Sequence, residues 1–221
     1  MIARELINHM IPPLKQTDRA HKAITWMEEL RVNQLPIIEN GAYLGLISED
    51  VIMEDNDITK PVSEYKLIGK NCYVSEEQHF YEVLKVVSDN GVQLVAVVNS
   101  SNNFLGVISI EDTVTAFAQS AAVQSPGGII VISLKQIDYS LAEIARLVES
   151  DDAKILSCIV NNDAYNDNMI KLTLKINKID ISRVIATLER FGYKIIAQFE
   201  EREKSSNEQE RLDILLKYLN I

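Results

Sequence analysis

The sequence predicts an α+β protein of two domains, the first of them internally duplicated. Three observations lead there. A short segment recurs 61 residues downstream with its flanks in register, and the second half alternates strand, helix, strand, strand, helix, strand. Between the halves lies a stretch of small residues with Pro126 and the pair Gly127-Gly128, a composition unsuited to the interior of either element. With 221 residues, 47% of them apolar, the chain can bury a core, which excludes a disulfide mini-protein and a disordered tail.

The first repeat, residues 1–58, opens on an extended lead-in. A helix follows, with Ala20, Ala23, Ile24, Met27 and Leu30 at three- and four-residue steps and Thr17 or Asp18 as its expected cap. A strand over 35–38 (LPII), a turn at Glu39, Asn40 and Gly41, and a second strand ending in LGLIS at 44–48 complete a hairpin, after which the period returns to helix. The second repeat, residues 59–120, has the same order. Phe80, Val83, Leu84 and Val87 mark its helix, with Ser75 and Gln78 as an expected capping box, and LVAVV at 94–98 leads through a turn at 99–103 to LGVIS at 105–109. Each copy therefore reads βαββα.

After a linker at 121–128, residues 129–200 form the second domain. IIVISL at 129–134 is a buried-type strand, and Leu141, Ile144, Ala145 and Val148 line a helix with a capping box from Ser140 to Glu143. Strands are expected at 153–160 and 169–176, separated by a polar turn at 161–168. A helix from Ile181 to Phe191 is stopped by Gly192, and a last strand covers 193–199. This βαββαβ order is that of ferredoxin-like folds. In 201–221 a charged stretch precedes a stripe of Leu212, Leu215, Leu216 and Leu219, edged by Ile214 and Tyr218. So short a helix is expected to dock, by default on the chain's own domain.

The duplicated half, roughly residues 1–120, resembles a tandem pair of cystathionine-β-synthase (CBS) domains, whose signature is Gly-x-Ile-[Ser/Thr]-x-x-Asp. The second copy has it complete in Gly106, Ile108, Ser109 and Asp112. The first has Gly45, Ile47 and Ser48, but Val51 stands at the acidic position and the acid falls one residue early, at Asp50. The resemblance implies that Ser109 and Asp112 contact the phosphate and ribose of an adenine nucleotide, with Tyr73 and Val74 lining the base pocket. The chemistry is reasonable: a helix N-terminus suits a phosphate, and a carboxylate one turn on can accept from ribose hydroxyls. The same two residues also make an ordinary helix cap with an acid in the first turn. Residues 1–120 hold 9 basic against 17 acidic residues, so AMP is easier to accommodate than ATP unless Lys15, Lys22, Lys66 or Lys70 turns inward.

The second domain, placed after such a pair, resembles an ACT domain. The resemblance implies amino-acid binding through a Gly-containing turn after the first strand, at a dimer interface. Here that turn, 135–140, contains no glycine, and Asp138 reads as a solvated turn residue, so the expected role is dimerisation or signal transfer. The CBS–CBS–ACT order, with SLAEI at 140–144 and KILS at 154–157, is similar to that of bacterial acetoin-utilisation regulatory proteins, which implies a regulatory role.

Nothing points to catalysis. His9, His21 and His79 lack metal-ligand spacing, no phosphate-binding glycine loop or nucleophile elbow is present, and Cys72 reads as a small buried residue. A net charge of −10 opposes nucleic acid and anionic membranes, and no apolar run approaches the roughly 20 residues of a membrane helix. The N-terminus lacks the apolar region of a signal peptide. Two distant cysteines, Cys72 and Cys158, fit the reducing cytoplasm. The expected function is a non-catalytic sensor that binds an adenine nucleotide, AMP by preference, and signals through an ACT dimer, with an unidentified protein as a further partner. The alternatives are a ligand-free oligomerisation module and an amino-acid sensor.

Overall fold

The computed structural model describes residues 1–55 and 57–200. The leucine stripe expected in 201–221 lies outside the described residues. The chain divides into one unit at Met1–Ala118 and another at Gln119–Ile221.

In the first unit each repeat builds a three-stranded sheet. β1 (Leu14–Lys15) runs parallel to β2 (Gln34–Glu39), which pairs antiparallel with β3 (Ala42–Ser48), and α1 (Ala20–Leu30) and α2 (Glu49–Asp55) complete the copy. β4 (Tyr73–Ser75), β5 (Leu94–Val98), β6 (Phe104–Ser109), α3 (Phe80–Asn90) and α4 (Ile110–Ala118) repeat the arrangement. β5 is buried along its whole length, as a central strand covered on both faces should be. The two hairpins meet at equivalent positions: Ala42 bridges Asn103, and Tyr43 stacks on Phe104 with ring centroids 6.4 Å apart.

The lead-in segments are exchanged between the copies. Ile7 and Asn8 lie in the lead-in of the first repeat, ahead of β1, but cross β6 of the second, where the Asn8 N–H donates to the Val107 carbonyl at 2.8 Å. Leu67 and Ile68 belong to the lead-in of the second repeat, ahead of β4, but lie on β3 of the first, where Leu46 and Ile68 exchange backbone hydrogen bonds. These crossings account for the glycine of the repeated motif. A Cβ on Gly106 would stand 2.4 Å from Ile7 Cγ2, and one on Gly45, held at φ +150, would stand 2.8 Å from the Ile68 carbonyl oxygen. Gly106→Ala is expected to cost about 1–3 kcal/mol of overpacking, because the Ile7 side chain can yield. Gly45→Ala should cost more, since it meets backbone and adds conformational strain. Denaturant midpoints in that order would check this; equal midpoints would contradict it.

Two capping expectations are corrected. α1 has Arg19 at its N-cap with no side-chain cap, because Asp18 instead accepts from the Lys15 N–H and the Lys22 ammonium. α3 begins one turn later than a Ser75 cap requires: Gln78 Oε1 accepts from Ser75 N–H in a preceding turn, and His79 Nδ1 accepts from Tyr81 N–H as the helix cap. Leu84, expected on the apolar face, is 40% exposed.

The second unit is a four-stranded antiparallel sheet in the order β10-β7-β9-β8, formed by β7 (Ile129–Lys135), β8 (Ile155–Asp163), β9 (Asn166–Ile176) and β10 (Lys194–Phe199). Alternate residues of β7 and β9, from Ile130 to Leu134 and from Ile170 to Ile176, are buried in one core. Ile144, Leu147 and Val148 of α6 (Leu141–Ser150) and Val184 and Leu188 of α7 (Ser182–Arg190) belong to the same core. Ser140 caps α6 by accepting from Glu143 N–H.

One further reading is corrected here. The polar turn expected at 161–168 shrinks to Ala164 and Tyr165, with Asp163 paired to Asn166. The hairpin arms run past the core into solvent, where strand pairing persists without apolar side chains. In the 121–128 segment lies α5 (Ala121–Gln124), and Gly127 and Gly128 are buried against the end of β9. There Gly128 N–H donates to the Lys178 carbonyl at 2.7 Å and its carbonyl accepts from Ile176 N–H at 2.8 Å.

Candidate nucleotide cavity

Ser109 closes β6 and Asp112 sits in the first turn of α4, so the strand-to-helix junction brings the two side chains together. They cap the helix reciprocally. Ser109 Oγ accepts from Asp112 N–H at 3.0 Å, while Asp112 Oδ2 accepts from Ser109 N–H at 3.0 Å and from Ser109 Oγ–H at 2.6 Å. A third partner comes from 104 residues away: Asn8 Nδ2 donates to both carboxylate oxygens, at 3.2 Å to Oδ1 and 3.1 Å to Oδ2. Oδ1 therefore carries one long contact and retains accepting capacity, while Oδ2 is saturated.

This junction lines a cavity of about 700 Å³ formed by both repeats. Met10, Ile11, Val32 and Leu94 give it apolar walls, Asn8 and Gln93 give it amides, and Arg31, at the end of α1, gives it a cation. None of Lys15, Lys22, Lys66 and Lys70, the lysines weighed from sequence, lines it. Lys22 is held instead by Asp18 and over the Trp26 ring.

Tyr73 and Val74 are not brought to this cavity. β4 pairs Tyr73 with Ala96 and Val74 with Val97, whereas Ser109 lies opposite Leu94 at the other end of β5. Val74 is buried in the core, and Tyr73 sits edge-on to Tyr43. The apolar walls come from other residues.

At the equivalent place in the first repeat, Ser48 Oγ accepts from Val51 N–H at 3.4 Å, and Val51 packs on the core. Ile68, which bridges Leu46 as Asn8 bridges Val107, stands in the place of Asn8, and Gly91 ends α3 as Arg31 ends α1. The three side chains that give the Ser109 junction its polarity, Asp112, Asn8 and Arg31, thus become valine, isoleucine and glycine at its counterpart. Sequence reasoning found the first of these changes and missed the other two.

Burial pushes the Cys72 thiol above its ordinary pKa, which disfavours the thiolate. Among the described residues, no cluster of three or more His, Cys, Asp or Glu could hold a metal, and no helix is long and apolar enough to cross a membrane.

Residues 62–119 match the family model of the CBS domain. Among curated proteins, the inosine-5'-monophosphate dehydrogenase of Methanocaldococcus jannaschii is 21% identical over 189 residues; the match spans 84% of this chain and 38% of that protein. Among solved structures, a CBS domain pair/ACT domain protein from Thermotoga maritima is similar with a TM-score of 0.50 and 16% identity, over 55% of this chain and 99% of that one. CBSX2 in complex with AMP is similar with a TM-score of 0.47 and 13% identity, over 53% of this chain and 96% of that one. The first unit has the fold of a CBS domain pair.

Proposed function

We propose that the chain is a non-catalytic regulatory protein whose first unit binds one adenine nucleotide, AMP in preference to ATP, in the Ser109–Asp112 cavity. In this proposal the second unit, whose βαββαβ order is that of ferredoxin-like folds, acts as an ACT-type module for dimerisation or signal transfer. The observation that supports it best is the cavity itself. Its volume, about 700 Å³, falls within the roughly 300–1,000 Å³ of small-molecule sites. It combines apolar walls for a base, a carboxylate for a ribose and a helix N-terminus for a phosphate.

Charge favours the monophosphate. Glu111 and Asp112 face a single cation, Arg31, among the lining residues, so each added phosphate brings negative charge without a further partner. Signalling requires that the nucleotide bind one arrangement of the repeats better than another, since equal affinity for both would shift nothing.

Calorimetric titration of the full chain with AMP, ADP, ATP and S-adenosylmethionine tests this. One site per chain with AMP tightest is expected. A nucleotide at a hundred times its Kd should stabilise the folded state by about 2.7 kcal/mol, visible as a higher Tm. Absence of binding by every nucleotide would refute the proposal. A second reading, a ligand-free interaction module, draws support from the reciprocal cap, because Ser109 and Asp112 satisfy each other without a ligand. It predicts a Tm indifferent to nucleotide.

A further inference from the structure

We infer that Arg31 is the phosphate-reading residue of this cavity, the side chain through which the site distinguishes a nucleotide from its nucleoside. The inference rests on the nucleotide-binding proposal and deepens it.

Three observations carry it. First, Arg31 is the sole basic residue among those lining the cavity, which also exposes the start of α4 at Ser109, Ile110 and Glu111. A guanidinium and a helix N-terminus facing one space are both complementary to a phosphate, the first through forked charge-assisted hydrogen bonds and the second through its partial positive charge.

Second, Arg31 holds a conformation that its residue type does not favour. It ends α1 in the left-handed region at φ 56, ψ 40. The structurally equivalent residue after α3 is Gly91, at φ 65, ψ 26, the ordinary solution for a helix C-terminus. The backbone requirement is therefore shared by both repeats, while the arginine belongs to one. A strained residue retained where glycine serves equally well points to a task for its side chain.

Third, the arginine occurs where the rest of the polar set occurs. The cavity with Arg31 has Asp112 and Asn8, while the first repeat's junction has Val51 and Ile68 in their places, and Gly91 in place of Arg31. Among the described residues Arg31 takes part in no ion pair, so its charge is not committed to holding the fold.

The test is calorimetry of the full chain with AMP and with adenosine, on the parent, Arg31→Gly and Arg31→Lys. Glycine is the residue that the fold already uses at this conformation, so the Tm of Arg31→Gly should be no lower than that of the parent. Its affinity for AMP should fall about tenfold or more, with adenosine affinity unchanged, and Arg31→Lys should recover part of the loss. Unchanged AMP affinity in Arg31→Gly, with the parent binding AMP, overturns the role of Arg31 and leaves the nucleotide proposal standing. Equal losses for AMP and adenosine also overturn it, because they make Arg31 a wall of the cavity. A parent that binds no AMP overturns both.

Discussion

Asp112→Ala lowers the affinity for AMP about a hundredfold. A ribose hydroxyl donating to the accepting position left on Oδ1 makes a charge-assisted hydrogen bond, and losing its acceptor costs up to about 3 kcal/mol, where 1.4 kcal/mol is tenfold. The substitution also releases Ser109 and Asn8, the groups that Asp112 now satisfies. The fold therefore loses about 1 kcal/mol, the usual cost of a helix cap. Asp112→Asn separates the two effects, since an amide oxygen can still accept at the cap while the charge that strengthens the ribose contact is gone. Calorimetry alongside denaturant unfolding gives both numbers. An Asp112→Ala affinity equal to that of the parent would mean that the carboxylate serves the helix alone.

Gly127→Ala destabilises the second unit by about 2–5 kcal/mol and leaves AMP binding by the first unit unchanged. Gly127 is held at φ +153, and a Cβ there would stand 1.9 Å from the Ile176 carbonyl oxygen and 3.0 Å from its carbon. Both neighbours are backbone, and they belong to a strand whose next hydrogen bonds run through Gly128. The end of β9 must therefore shift as a whole. Left-handed strain and overpacking each cost about 1–3 kcal/mol. At 4–8 °C per kcal/mol for a unit of this size, the corresponding transition should move down by roughly 10–20 °C or more. Differential scanning calorimetry would resolve it, and an unaltered thermogram would contradict the packing described for the glycine pair.

The duplication was legible because the motif recurs after 61 residues and the helix before it after 60, with a hairpin between them in both copies, and chance rarely keeps three features so nearly in register. Ser109 and Asp112 were legible for the same reason, being three residues apart at one junction. Asn8 was not, since its contact with Asp112 spans 104 residues and depends on the exchange of lead-in segments. Arg31 looks in sequence like any solvated cation at a helix end. Only its alignment with Gly91 shows that it sits where a glycine would be easier, and that comparison is available from the repeat alone. Tyr73 and Val74 were assigned from family resemblance, and strand pairing takes them to the far end of β5. In the second unit, asparagine and aspartate were taken for a turn because such residues favour turns, yet a hairpin arm beyond the core has no need of apolar side chains. The glycine pair at 127–128 was read only as part of a linker, and what its lack of side chains serves, close backbone approach, shows only in the fold.

The crossing of Ile7 and Asn8 onto the second repeat, and of Leu67 and Ile68 onto the first, bears on how such a molecule can change over evolutionary time. Two separate copies of one repeat clasped in this way would form a symmetric dimer, and every substitution would fall in both cavities at once. Joined in a single polypeptide, the halves still complete each other, but their codons are independent. One cavity can then lose its carboxylate, amide and guanidinium while the other keeps all three. A receptor with two matched pockets becomes a receptor with one, free of any competition between them.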